Sequence, residues 1–93
     1  MNVLVHHGTN AEYGVLAKGS WVTQDKAVAA EFAREKAGQE GGQPCILTLE
    51  IDELEIDWDV AAQVSGVHDS RGTIRHDMQV LWREAIPHPT PAP

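Results

Sequence analysis

The sequence contains a single cysteine, no long apolar run and no recognisable leader. Cys45 alone excludes an internal disulfide and fits a reducing compartment, and its place in an apolar run favours a small buried side chain over a nucleophile. No apolar stretch approaches the ~20 residues that span a bilayer. The apolar residues 1–5 are too few for a secretory leader. We therefore expect a cytoplasmic protein that contacts no membrane.

Basic residues are also scarce, and they are absent between Lys36 and Arg71. The formal net charge is −7. Six carboxylates fall within residues 50–59: Glu50, Asp52, Glu53, Glu55, Asp57 and Asp59. Such a field repels nucleic-acid phosphates, so we expect no direct binding of nucleic acid. Its natural complement is a protein partner with a basic surface, and the alternative is a solvated face kept for solubility.

The length and composition indicate one small globular domain. The 93 residues are 42% hydrophobic and 23% charged, and a chain of this size buries only about two-thirds of its unfolded surface. We predict a single domain over residues 1–86. Four prolines in residues 87–93 predict a polyproline-like, disordered tail.

The hydrophobic pattern alternates between strands and helices in the first half of the chain. Residues 2–6 are apolar and β-branched, which predicts a central or near-central strand. Asn10 can cap a brief helix that reaches about Leu16. A second strand is predicted over residues 20–22.

The main helix is predicted over residues 24–37, with Thr23 as its N-terminal cap and Gly38 just beyond its end. Side chains four residues apart share a helix face. The face predicted to pack on the sheet carries Val28, Ala29, Phe32 and Ala33.

The second half of the chain reads mostly as strands. Apolar residues alternate with polar ones from Cys45 to Ile51, which predicts a half-buried strand, and the pattern resumes after a bend near Asp52. Residues 59–64 suggest a helical turn, and residues 65–77 a loop. The alternation of residues 78–82 predicts one last strand.

Three short motifs in the first half carry the functional signal. His6-His7-Gly8-Thr9 follows the first strand, Ser20-Trp21-Val22-Thr23 forms the second, and Ala29-Ala30-Glu31-Phe32 lies on the main helix. This order resembles the diphtheria-toxin branch of the ADP-ribosyltransferases, over about a third of the chain. The resemblance implies an α+β fold with a small, split, mostly antiparallel twisted sheet and one main helix.

The resemblance also implies a site for NAD, the substrate of these enzymes. His7 would direct a ring nitrogen at a ribose hydroxyl, Gly8 would let the backbone approach the ligand, and Thr9 would bond back to the turn. Trp21 and Phe32 would hold the nicotinamide between their rings, where a cationic ring gains a cation–π attraction. The alternative is that all of these are ordinary core residues.

The catalytic part of the resemblance is weaker. The family places a glutamate at the start of a late strand, and the aligned residue here is Gln79. Asp77 would share its face and could replace the missing acid. Glutamine carries no negative charge for an oxocarbenium-like transition state, and loss of such a group typically costs about 10²–10³ in rate.

Three classes of function therefore remain from the sequence. One is an enzyme that transfers ADP-ribose from NAD to a protein or nucleic-acid acceptor. The second is a non-catalytic acidic inhibitor, of the anti-CRISPR or anti-restriction type, that blocks a basic nucleic-acid-binding surface through residues 50–59. The third is a plain interaction module. The histidines have no metal-ligand spacing, so no metal site is predicted.

Overall fold

The computed structural model describes residues 1–58 and 71–87. Within them the chain forms one α-helix and a mostly antiparallel sheet, so the predicted α+β class is confirmed. In chain order the elements are β1 (Asn2–Thr9), β2 (Val15–Leu16), β3 (Trp21–Thr23), the helix α1 (Lys26–Glu40), β4 (Cys45–Asp52), a 3₁₀ turn (Glu53–Glu55), β5 (Ile56–Trp58), β6 (Arg71–Ile74), β7 (Met78–Gln79) and β8 (Trp82–Ala85).

Six strands form the main sheet in the order β5-β6-β3-β1-β4-β8, and β2 pairs with β7 in a second, two-stranded sheet. The first strand is central, as predicted. It pairs with β4 along its whole length, from Asn2 opposite Asp52 to Thr9 opposite Cys45. With β3 it shares one register pair, His6 opposite Thr23. The sheet therefore splits on this side of β1, at the residue that follows His6.

One face of the central strands carries the main apolar core. Val5, Leu47 and Leu49 are fully buried there, and Ile51 is nearly so. They are alternate residues of paired strands, and alternate residues share a face. Cys45 lies in the same cluster as a free, buried thiol, as the sequence predicted.

The other face of the sheet is covered by α1 at one end only. Ala29 and Ala33 are fully buried against Gly8 of β1, where a Cβ atom would lie 1.9 Å from the carbonyl oxygen of Ala29. The helix thus lies directly on the strand backbone, which small residues alone permit. The predicted packing face is confirmed for the two alanines, whereas Val28 and Phe32 are half-buried at its margin.

The helix begins and ends later than predicted. Asp25 is the N-terminal cap, and its carboxylate accepts a hydrogen bond from the backbone N–H of Ala27 at 2.9 Å. Thr23 instead accepts from the N–H of Asp25 at 3.0 Å. At the other end Gly41, with φ of 82°, terminates the helix, and its N–H donates to the carbonyl of Ala37. Gly38 remains helical, because an exposed glycine does not by itself stop a helix.

Two local predictions were wrong. No helix follows Asn10: its side-chain amide donates to the carbonyl of Gly41 at 2.9 Å, and residues 15–16 form a strand. The last strand is divided, since β7 pairs with β2 and β8 pairs with β4. The chain crosses between the sheets at Val80 and Leu81, whose N–H groups donate to Gly14 and Thr48 respectively. The apolar and polar residues alternate regularly over 78–82, but hydrogen bonds to two different partners divide the segment into two strands.

The bend near Asp52 is confirmed as the 3₁₀ turn that leads into β5. A third local prediction was wrong: the predicted loop over residues 65–77 contains β6, Arg71–Ile74, which pairs with β3 and β5. Residues 59–70, which include the predicted helical turn and the first part of that loop, and residues 88–93 of the tail lie outside the described residues. Of the helices in the described part, none has the length and apolar character to cross a bilayer.

Candidate functional site

His7 fills the point at which the sheet splits. Its Nδ1 donates a hydrogen bond to the backbone carbonyl of Trp21 at 2.7 Å, replacing a strand-to-strand bond. A carbonyl can only accept, so the neutral ring carries its proton on Nδ1 and keeps Nε2 as an acceptor. Burial lowers the pKa of His7 below its ordinary value, and the charge of Lys36 acts in the same direction. The ring is therefore neutral at neutral pH.

Three of the predicted binding residues form one row of rings. The centroids of His7 and Trp21 are 4.8 Å apart, and those of Trp21 and Phe32 are 4.6 Å apart. The Arg71 guanidinium lies 5.8 Å from the Phe32 centroid, within cation–π range. The second strand and the helix thus bring their aromatic residues together, as the resemblance implied.

The two predicted stacking rings contact each other. A flat ligand between them would need their planes about 7 Å apart, since carbon atoms meet at about 3.5 Å on each side. Trp21 and Phe32 are tilted by 50° and closer than that. In this conformation an aromatic ligand stacks on an outer face of the row, and insertion between the rings requires Phe32 to move.

Gly8 has a structural reason for its identity, whereas the prediction that Thr9 bonds back to the turn was wrong. Gly8 is the contact point of α1, although it also lines a pocket of about 330 Å³ with His7 and Trp21. Thr9 is fully buried, and its hydroxyl has no hydrogen-bond partner in the described part of the chain. These contacts neither require nor test a role in binding NAD.

Pockets adjoin the ring row at several places. The largest, about 490 Å³, reaches Trp21 from the His7 side and extends to Tyr13 and Lys36. Another, about 430 Å³, reaches Trp21 and Phe32 from the side of Asp57 and Arg71. Sequence reasoning missed Tyr13, Lys36 and Arg71. The spacing of Phe32 and Lys36, four residues apart on one helix, was the signal that could have found the lysine.

Neither of the predicted catalytic residues lines a pocket beside this row. The carboxylate of Asp77 accepts a hydrogen bond from the backbone N–H of Lys18 at 2.7 Å. Gln79 pairs with Val15 in the small sheet, and the groove beside it is lined by Asn2, Glu50 and residues 78–81. That groove includes neither His7 nor Trp21. The crossing of the chain into the small sheet explains this placement of Gln79.

The acidic segment is partly neutralised by residues distant in sequence. Asp52 lies 3.6 Å from the terminal amine of Met1. Arg75 donates to Asp57 at 2.9 Å, and this hydrogen bond lowers the pKa of that carboxyl group. Glu50 and Glu53 are exposed, and Asp59 lies outside the described residues. The local field is therefore weaker than the sequence interval alone indicates.

Comparisons with protein-family models, with curated protein sequences and with solved structures gave no match. The relationship to the ADP-ribosyltransferases stays a prediction, carried by the three motifs.

Proposed function

We propose that this protein binds NAD at the ring row, as an ADP-ribosyltransferase-like protein. The observation that carries the proposal is the geometry of His7, whose Nδ1 is held by Trp21 so that Nε2 can accept a hydrogen bond from a ribose hydroxyl. An indole ring adjoins it at 4.8 Å, and pockets of small-molecule size open beside both. His7, which can bind a sugar hydroxyl, and Trp21, which can stack on a flat heterocycle, are thus adjacent.

Transfer of ADP-ribose is the reaction that follows from the resemblance, with an unknown protein or nucleic-acid acceptor. The proposal assigns His7, Trp21 and Phe32 to binding. It gives no reacting role to Gln79 or Asp77, because neither residue lines a pocket beside the ring row. Without a carboxylate at the reacting ribose, we expect turnover about 10²–10³ below that of a complete site.

The binding proposal is tested by NAD⁺ titration with Trp21 as the fluorescent reporter. Two other tryptophans are described, so the background variant carries Trp58→Phe and Trp82→Phe. Saturable quenching is expected, and His7→Ala should weaken it. His6→Ala is the matched control, because His6 bonds to the Thr48 hydroxyl on the opposite face of the strand. No quenching at millimolar NAD⁺ would overturn the proposal.

Substitution of the stacking residue supplies a second measure. Trp21→Ala should weaken NAD⁺ binding by about 1–3 kcal/mol, the typical value for a lost base-aromatic stack. Calorimetry measures this change without a fluorescent reporter. Equal affinity in parent and variant, with both folded, would show that the ligand binds away from the row.

Gln79→Glu tests the placement of the reacting residue. We expect no rise in NAD⁺ hydrolysis, since position 79 faces a groove without His7. Release of nicotinamide is the assay. A clear rise would mean that Gln79 reaches the bound ribose, and it would restore the sequence-based assignment.

A second candidate, the acidic inhibitor, is favoured by the uncovered part of the sheet. Trp82 and Leu81 are each 62% exposed there, and Leu4 is 53% exposed. Glu50 lies beside them, and so does Glu84, which is paired with Lys26. Exposed tryptophan at the centre of a patch with a charged rim is typical of protein interfaces. This surface, rather than residues 50–59 as a whole, would meet a basic partner.

The inhibitor candidate is tested with purified restriction and RNA-guided nucleases as probes. It requires that the protein block DNA cleavage by one of them and that Trp82→Ala abolish the block. Glu53→Lys, on the turn, is the control and should change only the salt dependence. Failure of the parent to inhibit any of them counts against this candidate.

A further inference from the structure

One pocket beside the ring row has a wall of small and aliphatic residues, from Val15 to Ala17 and at Gly19, and groups of three further chemical kinds. Aromatic rings come from Tyr13 and Trp21, and polar groups from His7 and Ser20. The third is a single charge, that of Lys36. Its volume of about 490 Å³ falls within the range of small-molecule sites.

Lys36 supplies the charge among the described residues that line this pocket. The chain has a net charge of −7, yet none of the described carboxylates lines it. In the described part of the chain Lys36 forms no ion pair, whereas Lys26 pairs with Glu84 and Arg75 with Asp57. Lys36 also lines the adjacent, smaller pocket, together with the carboxylates Glu35 and Glu40. A lysine that lines an otherwise uncharged pocket is suited to an anionic group on a ligand.

These three kinds of group match the three parts of a nucleotide. A base stacks on an aromatic ring. A sugar hydroxyl donates to Nε2 of His7, which its bond to Trp21 leaves as an acceptor. A phosphate takes a charge-assisted hydrogen bond from a lysine. A simple carboxylate ligand would use Lys36 and leave the histidine and both rings without a partner.

We infer that this pocket binds the phosphorylated nucleoside part of the ligand, with Lys36 holding the phosphate and Tyr13 forming the outer aromatic wall. The identity of the complete ligand as NAD rests on the proposed function. The recognition of a nucleoside phosphate rests on the pocket alone, so the two can fail separately.

The test compares Lys36→Met with Lys18→Met, each titrated by calorimetry with AMP, NAD⁺ and nicotinamide riboside. Methionine matches lysine in helix propensity, so Lys36→Met should fold. Lys18 is an exposed lysine in the segment before β3 and does not line the pocket. Lys36→Met should lower the affinity for AMP and for NAD⁺ by about tenfold or more, as expected for a lost hydrogen bond to a charged group. The riboside, which has no phosphate, should be unaffected.

Salt and a second variant sharpen the result. AMP affinity of the parent should fall with ionic strength, and that of Lys36→Met should depend on it much less. Tyr13→Ala should also lower the affinity for AMP. The variant should still fold, because Tyr13 is 46% exposed.

The outcomes separate the two proposals. AMP binding that depends on Lys36, without any response to NAD⁺, supports this inference and overturns NAD as the ligand. NAD⁺ binding with equal affinity in Lys36→Met overturns the inference and leaves the proposed function in place. An AMP affinity too weak to measure in the parent, or an equal loss in both lysine variants, also overturns it.

Discussion

The two faces of the central strand pair are built from different residues and do different work. One face of β1 and β4 carries large aliphatic side chains, Val5, Leu47 and Leu49, all fully buried. The other carries Gly8 beneath the helix and, farther along, Leu4, which is 53% exposed. The same two strands thus present a closed core on one side and a half-covered surface on the other.

This difference shows where the molecule has surface for binding. The helix lies so close to β1 that its small residues cover only the end near Gly8. At that end, Phe32 on the helix margin meets Trp21 and completes the ring row. At the other end, Trp82 remains exposed. Phe32 and Trp82 thus lie at the limits of the helix's coverage. His7 lies on the aliphatic face, because it alternates with Val5 in β1 and pairs with Leu47 of β4.

The largest effect is expected from alanine substitution of a leucine on the closed face, compared with a leucine on the half-covered face. Leu49→Ala should lower the free energy of unfolding by about 2–5 kcal/mol, because it leaves a cavity in a fully buried cluster. Leu4→Ala should change it by no more than about 0.5 kcal/mol. Urea denaturation measures both. Similar losses in the two variants would mean that the second face is also closed.

The contact between helix and strand is tested with two glycines. Gly8→Ala places a Cβ atom 1.9 Å from the backbone oxygen of Ala29, so the helix must move, at a cost of about 3 kcal/mol. Gly38→Ala meets nothing within 4 Å and should stabilise the helix by about 0.5–1 kcal/mol. In thermal melting, Gly8→Ala should lower the Tm and Gly38→Ala should raise it. Two stabilised variants would contradict the close approach of helix and strand.

The smallest expected effect is a pH dependence centred on His7. Burial holds its pKa below 6.5 in the folded protein, so the unfolded chain binds the proton more readily. Its contribution to stability is complete above pH 6.5 and is lost as the pH falls through the lowered pKa. His7→Gln should flatten the fall in stability from about pH 7 to pH 5.

His6 provides the comparison within this pH range. Burial also lowers its pKa, but it is the more exposed of the two. His6→Gln should therefore remove less of the pH dependence than His7→Gln. If the two variants behave alike, the split in the sheet does not bury His7 as described.

Much of the fold followed from local pattern. The strand at β1, the alternation of β4 and the main helix are regular periodic segments, and each forms near its predicted position. The row of His7, Trp21 and Phe32 was predictable for a related reason. Each residue sits at a fixed place on one of these elements, so their pairing placed the rings together.

The remaining elements depended on partners that no local pattern identifies. Residues 78–82 alternate as one strand would, yet they divide between two sheets, because the N–H of Val80 donates to Gly14, next to β2, and that of Leu81 donates to Thr48 of β4. The same division placed Gln79 opposite Val15 in the small sheet. Lys36 and Tyr13 became candidates only when the fold placed them around one pocket.

The sequence by itself determined the central strand, the main helix and the order of the ring residues, because hydrophobic periodicity and capping act over a few neighbouring residues. The tertiary structure decided where the sheet splits, how closely the helix approaches Gly8, which acidic residues find cationic partners and which side chains share a pocket. Those outcomes depend on contacts between residues far apart in the chain, and their geometry is fixed only when the elements pack.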